Sequence, residues 1–322
     1  MSEGSSIAVV VLNWNGVTDT LQCLASLRRS VVPLHAIVVD NGSNGDDVEQ
    51  IRVSGLADTI IEAGENLGYA EGNNVGLRVG ITHRFDVIGV LNNDTEIDPG
   101  SFKILADGLS ETEHRALSPD IRYFSSPSRS WFAGGVVDAG WPRHLQPHEI
   151  LDGEGEFREC DCLTGCCIVA RRETWESVGL FDPGYFLIFE DSEWSLRARR
   201  HGVRLGLATQ SVIKHKVSRS FEAGPQSLLG AFYFVRNGLI FEAEYARKYL
   251  LAFALRSLIR PSASALVRRR SVREIVFRWL GALAFIGRVK GRAPRLIERL
   301  AGRLAPYELA SPPQDSRRAE PL

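Results

Sequence analysis

Hydrophobic residues near the start of the chain are concentrated in four short runs, at residues 7–12, 36–39, 59–61 and 87–91. Unbroken, β-branched runs of this length predict strands that are buried on both faces, as in a parallel sheet. Leu21, Leu24 and Leu27 recur at helical spacing between the first two runs, and Thr18 or Asp19 could cap that helix. A short helix is predicted at 47–53, and another is predicted after the segment at 66–74, ending at about residue 80. This alternation predicts a Rossmann-like α/β fold with a parallel sheet.

Three of the four predicted strands end in small polar residues. The fourth strand ends at Asn92, Asn93 and Asp94. Ligands bind at the carboxyl ends of strands in open α/β sheets, and a carboxylate beside two amides suits a divalent cation shared with substrate phosphates. A strand that simply enters an Asn/Asp turn would show the same residues, so this segment alone leaves both interpretations open.

The loop after the first strand excludes one large class of nucleotide-binding proteins. A dinucleotide-binding Rossmann domain carries G-x-G-x-x-G at this position, because backbone must approach the pyrophosphate closely. This chain has Asn13-Trp14-Asn15-Gly16 instead. The sequence therefore argues against NAD and FAD.

Four motifs in this order resemble glycosyltransferase family 2, closest to its bacterial rhamnosyltransferase-like members. They are Leu-Asn-Trp-Asn-Gly, Val-Val-Asp-Asn-Gly-Ser, Asn-Leu-Gly-Tyr-Ala-Glu-Gly-Asn-Asn and Leu-Asn-Asn-Asp-Thr. The resemblance continues through residues 163–165, 179–182, 185–186 and 190–193, and covers about residues 7–240. It implies a GT-A fold, with a mostly parallel sheet flanked by helices. It also implies an inverting reaction, a nucleotide-sugar donor and usually a divalent metal, Mg²⁺ or Mn²⁺.

The resemblance assigns the donor nucleotide to the strand ends. Asp40 is expected to accept a hydrogen bond from the imide N–H of uracil or thymine, although an Asx turn would also explain this residue. Ordinary loop chemistry is an equally simple explanation for several of the other residues expected there. Those residues are Asn13, Asn15, Asn66, Gly68, Asn73, Asn92 and Asn93. Gly68 is expected to let the backbone approach the ligand closely.

The resemblance also implies the metal ligands and the base. Asp94 is the only acid at the position of the family's D-x-D motif, and His215 is expected to complete the metal or diphosphate site. Asp191 is expected to be the general base, with Glu190 positioning or tuning it. An acid pair at the start of a helix has an ordinary explanation as well, because it complements the helix dipole.

Acceptor contacts are expected from a Gly/Pro-rich loop over the site, which contains Trp131, Gly134 and Gly135. Trp194 could line the acceptor site, but a buried core aromatic is the alternative. The cysteine cluster at 160–167 lacks the paired C-x₂₋₄-C spacing of structural zinc sites, so we expect those cysteines to pack in the core as reduced thiols.

The net charge of −1 conceals a strong asymmetry. Residues 247–303 hold 15 Lys/Arg and two Glu, a balance of +13, whereas residues 1–246 hold 21 Lys/Arg and 34 Asp/Glu, a balance of −13. Apolar stretches in the basic segment are too interrupted to span a bilayer but suit helices that lie on an anionic membrane. A helical subdomain docked on the core with a basic face is the alternative. No nucleic-acid-binding motif is present, so nucleic acid is not expected as a partner.

Together these features predict a catalytic domain at 1–225, with a nucleotide-sugar half at about 1–115 and an acceptor half at about 116–225. A basic amphipathic helical extension at 226–310 and a disordered tail at 311–322 should follow. The expected enzyme moves rhamnose from dTDP-rhamnose, or a hexose from a UDP-sugar, to a hydroxyl of a lipid-linked or cell-surface glycan. It is expected in the cytoplasm, peripheral on the inner face of the cytoplasmic membrane, because the first residues do not form a signal peptide.

Two other functions fit parts of the sequence. A nucleotidyltransferase shares the α/β layout, but it normally has a Gly-rich phosphate loop near its N-terminus. A catalytically degenerate sugar-binding protein is compatible with the incomplete D-x-D motif, whereas the presence of Asp191 and His215 argues against it.

Overall fold

The computed structural model describes residues 5–138, 141–145, 155–217, 225–263 and 272–304. The four predicted strands are all present and are joined by helices. In chain order the elements are β1 (Ile7–Asn13), α1 (Val17–Leu27), β2 (His35–Asp40), α2 (Asp47–Ser54), β3 (Thr59–Glu62), α3 (Gly68–Thr82) and β4 (Val87–Asn92). These strands are parallel in the order β3-β2-β1-β4, which confirms the Rossmann-like half. The predicted cap of α1 is wrong: the helix begins after Gly16, and Thr18 and Asp19 lie inside its first turn.

The second half extends the same sheet with strands of both directions. Its elements are β5 (Thr95–Ile97), α4 (Ser101–Glu111), β6 (His114–Tyr123), β7 (Ser126–Phe132), β8 (Gly135–Asp138), β9 (Trp141–His144), β10 (Phe157–Cys160), β11 (Cys167–Arg171), α5 (Arg172–Val178), α6 (Glu190–Arg200) and β12 (Arg204–His215). The sheet continues from β4 through β11, β6 and β12 to β10, and β11 runs antiparallel to both β4 and β6. The Gly/Pro-rich stretch predicted as a loop is instead built from β7 and the two-stranded β8–β9 sheet.

The register of the central strands determines where the candidate site lies. Asn13 pairs with Asp40, and Leu12 pairs with Asn92, so the carboxyl ends of β1, β2 and β4 meet at one edge of the sheet. The apolar residues of these strands are almost entirely buried between helices on both faces. Because the core holds the strands rigidly, the polar residues at their ends are presented together.

Helices follow the sheet domain, as the sequence predicts. They are α7 (Pro225–Tyr245), a 3₁₀ turn (Arg247–Tyr249), α8 (Leu250–Ala254) with a π-helical turn (Leu255–Ile259), α9 (Val272–Ile286) and α10 (Arg295–Leu304). Phe232 and Phe277 belong to the core shared by α7 and α9, and Gly281 lets the two helices approach closely. Within the described ranges, no helix combines the length and hydrophobicity needed to cross a bilayer. The tail predicted to be disordered, 311–322, lies outside the described residues.

All five cysteines are buried free thiols. Burial raises the pKa of Cys23 to about 12 and that of Cys160 to about 11. Thiols held protonated in this way behave as small apolar side chains, which is the packing role expected from the sequence.

Candidate active site

Asn13, at the end of β1, connects the loops on the donor side of the candidate site. Its side-chain amide donates to Asp40 Oδ1 at 2.8 Å, Asp47 Oδ2 at 3.0 Å and Ser43 Oγ at 3.1 Å, and its carbonyl oxygen accepts from Thr20 at 2.7 Å. Both ends of the Asn13 amide are therefore occupied within the protein. The side chain is fully buried and holds other residues in place, and its expected contact with the nucleotide stays a prediction.

Asp40 is buried at the end of β2 and accepts from Asn13 at one oxygen and from the backbone N–H of Ser43 at 3.0 Å at the other. The N–H that bonds Asp40 belongs to the residue three positions on, whereas an Asx turn would use that of residue 42, and this bond orients the carboxylate. Asn15, which has a positive φ of 52°, accepts from the backbone N–H of Asn44 at 2.7 Å. These contacts join the loop after β1 to the loop after β2.

Gly68 is required by a close contact within the protein. Its φ is +81°, and a Cβ atom at this position would lie 2.5 Å from the Phe186 ring. Phe186 thus accounts for a glycine at this position, and the expected close approach of the backbone to a ligand stays a prediction. Asn66 accepts from the N–H of Gly68 at 2.8 Å. Asn73 bonds Tyr69 within α3, and its Oδ1 is buried without a hydrogen-bond partner.

Asp94 and His215 form a buried pair beneath the ends of β4 and β12. Asp94 Oδ1 lies 3.1 Å from His215 Nε2, and antiparallel pairing of β5 with β12 sets this approach. His215 Nδ1 is buried without a hydrogen-bond partner, and the Trp131 ring packs edge-on at a centroid distance of 4.7 Å. The side chain of Asn93 contacts α1 and donates to Thr20 Oγ1 at 2.9 Å. The Asn92 carbonyl accepts from Thr95 at 2.7 Å.

The donor set of Asp94 and His215 fits a divalent cation. Ligands at right angles around an ion with bonds of about 2.1 Å are separated by about 3.0 Å, close to the observed spacing. A carboxylate oxygen with an imidazole nitrogen suits Mn²⁺ well and Mg²⁺ acceptably. No cluster of three or more His, Cys, Asp or Glu that could hold a metal occurs within the described parts of the chain. The remaining ligands of such an ion would have to come from a substrate, water or backbone.

Asp191 stands in the first turn of α6 with both oxygens hydrogen-bonded to backbone. Oδ2 accepts from Gly165 at 2.8 Å and Oδ1 from Ser192 at 2.6 Å. The hydroxyl of Tyr69 donates to the carbonyl of Gly165, so both backbone polar groups of Gly165 are hydrogen-bonded. The neighbouring Glu190 is buried with Oε2 unpartnered; burial, and then the charge of Asp191, raise its pKa to about 8.

Aromatic contacts flank the buried pair, and backbone hydrogen bonds connect the end of β4 to Asp191. Trp131 packs against His215 on one side and against His144 on the other, at a centroid distance of 4.9 Å. Burial lowers the pKa of His144 and raises that of Cys166. The carbonyl of Cys166 accepts from the backbone N–H of Asn92 at 2.9 Å, and the N–H of the adjacent Gly165 donates to Asp191. The segment at 165–166 therefore joins the end of β4 to the first turn of α6.

His144 was not singled out from the sequence. Its Nδ1 lies 3.2 Å from the Trp131 carbonyl, which can only accept, so the proton resides on Nδ1. A lone histidine in a Gly/Pro-rich segment has no local pattern that indicates a role. The pairing of β8 with β9, in which His144 lies opposite Gly135, brings it beside Trp131.

Three of the four predicted acceptor residues have structural roles. Trp194 is fully buried, donates to the Gly179 carbonyl at 2.8 Å and packs on Trp175 at 4.5 Å. Gly134 and Gly135 are also buried, and a Cβ atom on Gly135 would lie 2.5 Å from the Cys162 carbonyl oxygen. Trp131 alone lies beside the candidate site. Burial favours the alternative of a core aromatic for Trp194, and the acceptor role of these three residues stays a prediction.

Helix α7 holds the loop that leads to Asp191. Phe186, Ile188 and Phe189 all have positive φ, which is strained for residues with side chains. Asn237 donates to the carbonyls of Tyr185, Leu187 and Ile188 at 2.7–2.8 Å. The adjacent Arg236 donates to Tyr185 at 3.0 Å, and burial lowers its pKa to about 10. We call residues 184–189 the strap; the sequence placed Arg236 and Asn237 in a helix without indicating this contact.

Comparison with known proteins adds an independent line of information. A family model described as "Glycosyltransferase like family 2" matches residues 4–227. A low-salt glycan biosynthesis hexosyltransferase, Agl10, from Haloferax volcanii is 27% identical over 207 residues, 62% of this chain and 64% of the relative. The chain thus spans slightly less than two thirds of that relative. An N-acetylglucosaminyl-diphospho-decaprenol L-rhamnosyltransferase from Mycobacterium tuberculosis is 28% identical over 256 residues, 70% of this chain and 80% of the relative.

Among solved structures, the mannosyltransferase PcManGT from Pyrobaculum calidifontis, in complex with GDP-Man and Mn²⁺, is similar across 88% of both chains. The TM-score is 0.55 and the sequence identity 14%. At this identity the likeness concerns the fold alone. It confirms the GT-A architecture expected from the sequence, with its α/β sheet flanked by helices.

Proposed function

The chain belongs to the glycosyltransferase-like family 2, and from that membership we propose that it is an inverting enzyme of glycan synthesis. It transfers rhamnose from dTDP-rhamnose, or a hexose from a UDP-sugar, to a hydroxyl of a lipid-linked or cell-surface glycan. One observation carries the proposal: the Asp94–His215 pair lies beside Trp131 at the carboxyl end of the sheet, and segment 165–166 bonds both Asn92 at the end of β4 and Asp191. The rhamnosyltransferase relative, whose name specifies a diphospho-decaprenol-linked sugar, supports the choice of rhamnose and of a lipid-linked acceptor.

In this proposal Asp40 selects the base of the donor. Its carboxylate is oriented by Asn13 and by the backbone N–H of Ser43, and each oxygen keeps a further lone pair. An imide N–H of uracil or thymine donates to it, whereas cytosine presents an unprotonated ring nitrogen and leaves the buried charge unmatched. The selectivity thus follows from burial of Asp40.

Asp94 and His215 would hold Mn²⁺ or Mg²⁺ together with the donor diphosphate. When bound, the cation supplies positive charge that stabilises the leaving diphosphate. With only two protein ligands, the affinity for metal in the absence of nucleotide should be weak. With the cation bound, Asp94 and His215 would orient the diphosphate toward the end of β4.

Asp191 accepts the proton of the acceptor hydroxyl. As that oxygen forms its bond to the anomeric carbon, the bond from this carbon to the diphosphate oxygen breaks, and the electron pair leaves with the nucleotide. A single displacement of this kind inverts the anomeric configuration. The N–H groups of Gly165 and Ser192 hold the Asp191 carboxylate in place. Burial raises the pKa of the neighbouring Glu190 to about 8, so Glu190 is largely neutral near pH 7.

The test compares donor binding with sugar transfer. Asp191→Asn should bind dTDP-rhamnose or a UDP-sugar with unchanged affinity by calorimetry but should lose transfer by at least about 10²-fold. Glu173→Gln, on the exposed side of α5, is the matched control and should behave as the native chain. Full transfer by the Asp191→Asn protein would refute the assignment of the base.

A second test concerns the metal ligands and the donor. Thermal shift with a panel of nucleotide-sugars, with and without Mn²⁺, reports donor and metal together through ligand-linked stabilisation. Asp94→Ala and His215→Ala should each abolish the Mn²⁺-dependent part of that stabilisation. If binding occurred without transfer to any glycan acceptor, the catalytically degenerate sugar-binding protein would be favoured instead.

A lipid-linked acceptor requires a location at the membrane. We place the protein on the inner face of the cytoplasmic membrane as a peripheral protein, with the +13 balance of residues 247–303 facing anionic lipid.

A further inference from the structure

Large apolar side chains are exposed mainly on the C-terminal helices. Among the residues that the structure describes, nine of the thirteen exposed large hydrophobics lie between Leu251 and Leu296, whereas Trp14, Val31, Val53 and Phe124 are scattered over the remainder. Scattered exposed hydrophobics are common on protein surfaces, but a concentration of them indicates a binding surface.

Eight of these residues repeat at helical spacing. They are Leu251, Leu255 and Ile259 on α8 and its π-helical turn, and Val272, Val276, Trp279, Leu283 and Ile286 on α9. Intervals of three and four residues place side chains along one side of a helix. The opposite side of α9, with Phe277 and Gly281, is buried against α7. Helix α9 therefore has a second apolar side that nothing in the described structure covers.

The two rows of residues form one surface. Trp279 Nε1 donates to Ser262 Oγ at 3.2 Å, and Arg278 donates to the Ser257 carbonyl at 3.2 Å, so the middle of α9 lies beside the end of the α8 segment. We call the eight residues the apolar face. Exposed cations lie next to it in the chain at Arg256, Arg260 and Arg288.

We propose that the apolar face inserts into one leaflet of an anionic membrane, with the surrounding cations on the lipid headgroups. This inference rests on the proposed function, since a lipid-linked acceptor is what brings the protein to a bilayer. Charge favours lipid over a second copy of the chain, because two copies meeting at this face would bring two segments of +13 together. An amphipathic surface with apolar residues between basic ones is typical of interfacial helices.

The position of the apolar face suits delivery of a lipid-linked acceptor. Helix α9 packs on α7, and α7 holds the strap through Asn237 and Arg236. The strap runs directly into Glu190 and Asp191. Only one helix therefore separates the membrane-inserted surface from the loop that positions the base.

The experiment uses the full chain and vesicles without donor or acceptor. Co-sedimentation should show binding to vesicles of phosphatidylcholine with phosphatidylglycerol, weaker binding in high salt, and little binding to phosphatidylcholine alone. Leu283→Ser combined with Ile286→Ser should lower the partition coefficient about tenfold or more, since both side chains are well exposed and leave water on insertion. Val53→Ser, which removes an equally exposed apolar residue on α2, is the matched control and should bind as the native chain.

A second measurement reports how deeply the apolar face enters the bilayer. Brominated acyl chains should quench the fluorescence of the native protein more than that of Trp279→Phe. Native-like vesicle binding by the double variant, or no binding by the native chain, would overturn the proposal. So would a dimer in analytical ultracentrifugation that the double variant loses while vesicles bind neither protein.

The outcomes of the vesicle experiments do not depend on the sugar-transfer reaction. Transfer to a soluble acceptor analogue should be unchanged in the Leu283→Ser, Ile286→Ser protein, and vesicle binding should be unchanged in Asp191→Asn. A failure of the proposed reaction would thus be distinguished from a failure of membrane insertion.

Discussion

Replacement of Glu190 by glutamine should make the protein more stable at alkaline pH. The Glu190 carboxyl is buried beside Asp191, and its Oε2 has no hydrogen-bond partner. Burial raises its pKa from 4.5 to about 8 in the folded protein. The folded state therefore binds this proton more tightly than the unfolded state does, and the resulting stability is fully present below about pH 4.5 and is lost as pH rises toward 8.

The size of this loss follows from the interval between the two pKa values. Each pH unit corresponds to about 1.4 kcal/mol, so the interval from 4.5 to about 8 corresponds to as much as about 5 kcal/mol. Relaxation of the surroundings and entry of water would reduce this value, and we expect a difference of about 2–5 kcal/mol. Glutamine carries no charge at any of these pH values, so Glu190→Gln escapes the loss.

The assay is urea unfolding of both proteins at several pH values from 5 to 8.5. The free energies of unfolding should be similar near pH 5 and should diverge in favour of Glu190→Gln as pH rises. Glu173→Gln, at an exposed carboxylate, is the control, and its curve should stay parallel to that of the native chain. Parallel curves for Glu190→Gln and the native chain would refute the argument that burial keeps this carboxyl protonated.

Three further substitutions test the packing around the site. Asn237→Leu keeps the volume but removes the donor to the Leu187 and Ile188 carbonyls, while Tyr185 keeps its bond from Arg236. The free energy of unfolding should fall by about 2–4 kcal/mol and kcat should fall more than donor affinity; native values for both would exclude a positioning role. Gly68→Ala should lower the free energy of unfolding by about 2 kcal/mol or more in thermal unfolding, because the new methyl group would clash with Phe186. The control is Gly45→Ala, which also has a positive φ but open space around it, and its loss of stability should be clearly smaller. Trp194→Ala should lose about 3–5 kcal/mol of stability with an unchanged acceptor KM, whereas a selective KM effect would support its acceptor role.

Local pattern alone was sufficient for the first half of the fold. The β-branched runs and the helical spacing between them depend on neighbours in the chain, so the four parallel strands and their polar ends follow from the sequence, whereas the order of the strands came from the structure. The order of the motifs also indicated the family, and so directed attention to Asp94, Asp191 and His215. The C-terminal helices and their excess of positive charge could likewise be predicted from composition and periodicity.

Only the tertiary structure decided what each side chain touches. Trp194 and Trp131 are both tryptophans near family motifs, yet one is enclosed by Trp175 and the other lies between His144 and His215. Gly68 faces Phe186, and Asn237 holds the strap, because segments far apart in the chain pack together there. Periodicity is a property of neighbouring residues, whereas burial and hydrogen bonding depend on partners that long-range packing brings together.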